Sequence, residues 1–280
     1  QKQSVFFQML IKKLHDSFMI LRIINYLVIG FIDSKQSFQM GHDFPQDPII
    51  LTLILGIFFS TTGFTVLHFL NKKGLKNFPF RSSFPGDDEE KVKLVLFRRL
   101  SGITIYLILP LLIYLLLTGD NLLLIYAGKM NSEFFWWFFP LALLLILLNY
   151  LNAGRVDNLV MYPEIRKKEW TPSLIALSAL SWIFYLFAYE FLFRGILLIP
   201  ALELLGFWPA IVLNIGIYSL VHVPKGIKES IGAIFLGFLL CLLVIRTGSF
   251  WIAFFIHVVL ALSSEWFSIY ANPEMRIIRR

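Results

Sequence analysis

Glu190 and Arg194 stand four residues apart in Tyr189-Glu190-Phe191-Leu192-Phe193-Arg194-Gly195, which puts a carboxylate and a guanidinium on one helical face. Such a pair is either a charge-neutralised structural tie or a carboxylate held for chemistry. Asn214, Tyr218 and His222 repeat the four-residue step, so an amide, a phenol and an imidazole point the same way. Any one of them could be a packing hydrogen bond between helices. Three on one stripe are harder to assign to packing alone. His257 follows, with Ala261 and Glu265 at the same step. Taken singly, His257 reads as a satisfied buried histidine, and Glu265 as a carboxylate near the water interface. Imidazoles and a carboxylate are the side chains that general acid–base catalysis draws on. They could also hold zinc, but the His-Glu-x-x-His spacing of a one-helix zinc site is missing, so no metal or other cofactor is expected.

What makes these residues notable is where they lie. Of 280 residues, 58% are apolar and 15% charged, and long charge-free runs separate short charged stretches. That balance excludes a soluble enzyme, a disordered chain and a disulfide scaffold, and leaves an all-α, polytopic bundle of transmembrane helices. The single cysteine, Cys241, sits in an apolar run, so no disulfide or Cys-based zinc site is available. A span needs roughly 20 apolar residues. Candidates are Ile49 to Leu70, Ser101 to Leu117, Phe134 to Leu151, Thr171 to Ile199, Pro209 to His222, Ile231 to Ile245 and Phe250 to Ala271. Ser17 to Ile32, which carries Arg22, is an eighth that crosses or lies in the interface, giving about 8 membrane helices with one short or partial.

Basic residues partition sharply if all eight cross. The N-terminus and segments 71–100, 152–169, 224–230 and 273–280 hold 20 of the 25 Lys and Arg, and the alternate segments hold 3. The positive-inside rule then places both termini in the cytoplasm. The net charge of +7 is thus arranged against a bilayer; membrane lipids are expected as partners and nucleic acid is not. Loop 71–100, with Pro79, Pro85 and Asp87-Asp88-Glu89-Glu90, reads as a surface turn with a solvated charged edge. The N-terminal segment lacks the apolar core and cleavage site of a secretory signal. No transporter-like internal repeat is visible.

An ionisable side chain inside a span is costly and marks a functional site by default. The set Glu190, Arg194, His222 and His257 lies in the last four helices, and the first half of the chain carries no comparable set. A channel or carrier is disfavoured, because these residues form no continuous path through that first half. At a rise of about 1.5 Å per residue, Glu190, His222 and His257 lie about 15, 21 and 10 Å below the outer loops, within side-chain reach of one level if helices tilt. The Pro209 to His222 helix, at roughly 20 Å, is too short to cross fully. It is expected to stop beside a wet cavity, with Pro224 and Gly226 breaking it.

Over residues 170 to 272 the chain resembles the CAAX protease and bacteriocin-processing family of intramembrane endopeptidases, whose pattern is Glu-Glu-x-x-x-Arg, then Phe-x-x-x-His, then His-x-x-x-Asn. Phe193-Arg194-Gly195, His222-Val223-Pro224 and Thr247-Gly248-Ser249 ahead of His257 carry the likeness. Tyr189 stands where the family has its first glutamate, Tyr218 where it has Phe, and Ala261 where it has Asn. The resemblance implies hydrolysis of a peptide bond in a membrane-associated or lipid-anchored protein or peptide. It implies Glu190 as base, His222 positioning water, His257 stabilising the oxyanion, and Arg194, Tyr218 and Asn214 in support. A phenol is a poor base at neutral pH, and losing an oxyanion donor costs about 10² to 10³ in rate. A lapsed protease that binds a membrane partner or peptide without cutting it is therefore the alternative. By the same resemblance the expected setting is a bacterial cytoplasmic membrane. The expected organisation is 1–48 as an N-terminal helix and outer loop, 49–169 as accessory helices, 170–272 as the core and 273–280 as a basic tail.

Overall fold

The structure, a computed structural model, describes residues 47–73 and 87–278. The candidate span Ser17 to Ile32 lies outside the described residues. Among the described residues seven helices are long and apolar enough to cross a membrane. In chain order the elements begin with α1 (Pro48–Lys73), α2 (Asp87–Ile103), a wide-turn segment Thr104–Ile108 and α3 (Leu109–Thr118). Then come α4 (Leu122–Tyr126), α5 (Ser132–Asn152), α6 (Val156–Met161) and β1 (Glu169–Trp170). α7 (Pro172–Glu190) runs through a second wide-turn segment, Phe191–Leu198, into α8 (Ile199–Leu205). The chain closes with α9 (Phe207–Leu220), a 3-10 turn Val223–Lys225, α10 (Ile227–Thr247), α11 (Trp251–Ala271) and β2 (Arg276–Ile277).

Two departures from the sequence reading bear on the site. The stretch read as loop 71–100 holds the start of a helix: Asp87–Ile103 is α-helical and continues to Thr118, so Arg98 and Arg99 stand on a rod and not on a surface turn. The Thr171 to Ile199 helix extends further, to Leu205, and ends because Gly206 alone joins it to α9 at φ 81°, a left-handed turn that a side chain would strain. Thr171 starts the helix by accepting the Leu174 amide, with Pro172 in the first turn, where a missing N–H costs nothing.

In a membrane protein the outside is apolar, so burial reflects packing between helices and not hydropathy. Phe58, Leu116, Trp136 and Phe235 are exposed on the lipid-facing perimeter. The 172–205 span is the centre of the bundle, the most buried of the seven. Every residue of Phe191–Leu198 is buried. α1 presses directly on this segment at Gly56, where a Cβ would meet the Ile196 carbonyl oxygen at 2.9 Å and Leu197 Cα at 3.0 Å. Polar side chains join the helices crosswise: Asn149 on α5 donates to the Leu260 carbonyl at 2.9 Å and Ser263 at 2.7 Å on α11, and Asn131 donates to the Thr247 carbonyl at 2.9 Å. At one end β1 and β2 pair in parallel, Glu169 opposite Arg276, fastening the chain after α11 to the segment before α7.

Candidate functional site

The α-helical part of α9 is 14 residues, about 21 Å, but the run on to Lys225 makes 19 residues, long enough to cross, so the expected partial span is not what the structure has. Beyond Leu220 the chain tightens through Val223–Lys225, and Gly226 at φ 107° turns it into α10. A cavity of about 670 Å³ opens beside this end. Its inner wall includes Tyr189, Tyr218, His222, His257 and Ala261. Its mouth includes Arg98, Arg99, Glu164, Lys225, Lys228 and Glu229, residues of the segments where the positive charge is concentrated.

Glu190, His222 and His257 meet around the Tyr189 ring. His257 Nδ1 lies 2.5 Å from Glu190 Oε1, joining α11 to α7. The Tyr189 ring is 6.0 Å from the His257 ring and 6.4 Å from that of His222, centroid to centroid. Position 189 thus points into the cavity between the two imidazoles. Glu190 and Arg194 form the expected pair at 3.1 Å, both with no exposed surface. The guanidinium carbon lies 4.2 Å from the centre of the Tyr218 ring, so the phenol face covers the cation. His222 Nδ1 is 2.8 Å from the Tyr218 carbonyl oxygen one turn earlier; a carbonyl only accepts, so Nδ1 carries the hydrogen and Nε2 is left for the cavity.

Asn214 is the member of the stripe that does not reach this wall. Its amide donates to the Phe193 carbonyl at 2.6 Å, and its Oδ1 accepts from Cys241 Sγ at 3.2 Å. The wide coil of Phe191–Leu198 displaces carbonyls from the usual partners, and Asn214 takes one of them. Ala261 lies in the cavity wall one turn past His257 and contributes no polar group. Among the described residues no three His, Cys, Asp or Glu side chains stand close enough together to hold a metal ion.

Sequence reasoning missed a second buried charge cluster at the mouth. Glu265 is 1% exposed, not near water, and Arg99 is 3% exposed. Arg99 Nη2 reaches Glu164 at 2.9 Å and Glu265 at 3.5 Å, while Nη1 donates to the Ser178 carbonyl and to the Ser178 and Ser181 hydroxyls. Trp182 Nε1 donates to Glu265 at 2.6 Å, and the Ser178 hydroxyl donates to its other oxygen. The first half of the chain therefore does supply a buried charge. The available signal was the polar step Ser178, Trp182 on α7 opposite Glu265, two turns beyond His257.

Residues 171–263 match the family model described as Type II CAAX prenyl endopeptidase Rce1-like, a stretch that contains every residue of the inner wall named above. The match spans less than half of the chain. No curated protein and no solved structure gives a match. An intramembrane-protease-like stretch within a multi-pass membrane protein is what the match and the seven apolar helices support.

Proposed function

We propose, from the match over residues 171–263 and from His222 and His257 lining one cavity with Glu190 joined to His257, that the protein is an intramembrane endopeptidase that cleaves a membrane-associated protein or peptide by water attack. The single observation that carries the reading is the cavity itself: two histidines from separate helices and a carboxylate coupled to one of them, at the stopped end of α9. A wet pocket in hydrocarbon supplies what hydrolysis needs, a water and polar groups to hold it, in a place where an extended peptide can be shielded from bulk solvent.

His222 positions the water through Nε2. Arg194 and the Tyr218 ring fix Glu190, and Asn214 fixes the backbone that follows it. The excess of Lys and Arg on one set of segments supports a cytoplasmic location for both termini, and the cavity mouth belongs to that same set. The name of the matched family suggests a prenylated protein or peptide as substrate.

The test is cleavage of a quenched-fluorescent peptide carrying a prenylated cysteine near its C-terminus, by purified protein in liposomes. Cutting by the wild type, and its loss in His222→Ala and His257→Ala, supports the reading; equal rates in all three remove it. A second reading, a lapsed peptidase that only binds such a peptide, has the full burial of Glu190 in its favour. It predicts binding without cutting by the wild type, and cutting only after Tyr189→Glu and Ala261→Asn together.

A further inference from the structure

A hydrolytic site is defined by which basic atoms a water can touch, and Glu190 offers none. It has no exposed surface, Oε1 is taken by His257 Nδ1 at 2.5 Å, and Oε2 faces Arg194 Nη1 at 3.1 Å. A carboxylate closed on both oxygens acts only through its neighbours. His257 is differently placed: its side chain is 13% exposed, it lines the cavity, and with Nδ1 given to Glu190 its free nitrogen is Nε2. A carboxylate paired with a guanidinium is an acceptor, so the hydrogen between His257 and Glu190 sits on Nδ1 and the Nε2 lone pair is left over. His222 reaches the same state by giving its Nδ1 hydrogen to the Tyr218 carbonyl. Both imidazoles stand close to the Tyr189 ring, at 6.4 and 6.0 Å, and each keeps a lone pair for a water in the cavity they line.

The third group is the Tyr189 hydroxyl. Tyr189 is 5% exposed and lies in the cavity wall, and its hydroxyl has no hydrogen-bond partner. A buried phenol without an acceptor is an expensive arrangement, retained where something else supplies the acceptor. None of the rings packed around it accepts a hydrogen bond from it: Tyr106 at 5.8 Å, Tyr185 at 5.9 Å, Phe193 at 4.7 Å, Tyr218 at 5.7 Å, and His222 and His257 at 6.4 and 6.0 Å. A substrate carbonyl oxygen in the cavity would.

We infer, resting on the endopeptidase reading above, that His257 is the general base, that Glu190 is its positioning residue, and that the Tyr189 hydroxyl donates to the carbonyl oxygen of the bound peptide. Water gives one proton to His257 Nε2 and holds its other O–H on His222 Nε2. Its oxygen bonds to the carbonyl carbon, and the carbonyl π pair moves to oxygen, where the Tyr189 O–H donates a hydrogen bond and keeps its proton. Collapse restores the carbonyl and breaks the C–N bond. The leaving nitrogen takes the proton from His257 Nε2, so the products are an acid and an amine and the histidine is restored. Glu190 fixes the tautomer and holds the ring throughout.

Two measurements test this, one of which needs no turnover. Nitrogen NMR of full-length protein labelled at histidine imidazole nitrogens, in micelles, should show both His222 and His257 hydrogenated at Nδ1 and bare at Nε2; an Nε2–H form of His257 overturns the base assignment even if the peptide is cut. With the prenylated peptide, Tyr189→Phe should lower kcat about 10²- to 10³-fold with little change in KM. Glu190→Gln, whose amide oxygen still accepts from Nδ1, should keep activity that His257→Ala lacks. The double variant Glu190→Gln, Arg194→Met repeats that test without a buried unpaired cation. A Tyr189→Phe enzyme at the wild-type rate overturns the donor role. Glutamine variants as inactive as His257→Ala, while folded by their melting, return the base to Glu190. Absence of cutting by the wild type removes the endopeptidase reading and the donor role with it, and leaves the tautomer result to decide the Glu190–His257 relation.

Discussion

Two buried arginine–glutamate clusters lie beside one cavity, and they differ in how completely their hydrogen bonds are made. At the mouth, Arg99 and Glu265 are joined by Glu164, Ser178, Ser181 and Trp182, so that both Glu265 oxygens and both terminal nitrogens of Arg99 have directed partners. Only Arg99 Nε is left over. Inside, all three Arg194 nitrogens and Glu190 Oε2 lack a directed hydrogen bond, although the charges are paired at 3.1 Å, and the Tyr189 hydroxyl nearby lacks one too. Both guanidiniums are covered by an aromatic face, Trp182 at 4.1 Å and Tyr218 at 4.2 Å, so stacking does not separate them. Satisfaction does. A complete network rigidifies a fold, whereas an unpartnered hydroxyl in a cavity wall, that of Tyr189, awaits a ligand or a reaction.

The sharpest way to break this contrast is to remove the inner histidine. His257→Ala should lower peptide cleavage about 10²- to 10⁴-fold, the range for a general base, with the melting temperature in detergent changed far less. A large loss of stability with it would make the inner cluster structural. At the mouth the reverse is expected: Glu265→Leu leaves Arg99 buried beside only Glu164 and should cost about 3–5 kcal/mol, read as a marked fall in melting temperature. Between them in size, Asn214→Leu frees the Phe193 carbonyl and should cost about 1–3 kcal/mol, with activity falling in step because that carbonyl follows Glu190 by three residues. The smallest effect is expected at Asp157, fully exposed, whose carboxyl the hydrogen bond and charge of Lys228 hold below its usual range. Such a depressed value contributes above the ordinary carboxylate range and is lost as acid brings the pH down through it. Water and salt screen the pair, so Asp157→Asn should leave melting unchanged within error at neutral pH.

Much of this was readable from the chain. The apolar runs gave the spans, because a membrane span declares itself locally, in about twenty residues. The four-residue spacings gave Glu190 with Arg194 and the Tyr218 to His222 face, whereas the run from Pro209, read as too short to cross, reaches span length through the turn to Lys225. Pairings across the fold were not readable. Arg99 meets Glu265 at a separation of 166 residues and Glu190 meets His257 at 67, and no local pattern announces either partner. Glu265 was misplaced because distance from a helix end predicts depth, while burial depends on what packs beside it. Arg99 was hidden because charge at a helix start resembles a loop in composition. The resemblance singled out Glu190, yet its closure by Arg194 and His257 on opposite oxygens is a tertiary fact.

The loosened coil of Phe191–Leu198 makes this protein sensitive to a kind of change that single substitutions do not sample. Each residue of a regular helix turns the chain by about 100°, and a wide turn accommodates one residue more than regular winding would. Losing one amino acid there would let ordinary winding resume and rotate Tyr189 and Glu190 away from the histidines, while hydropathy and composition stayed the same. Across natural variants of this sequence, length between positions 190 and 199 should be held more strictly than identity.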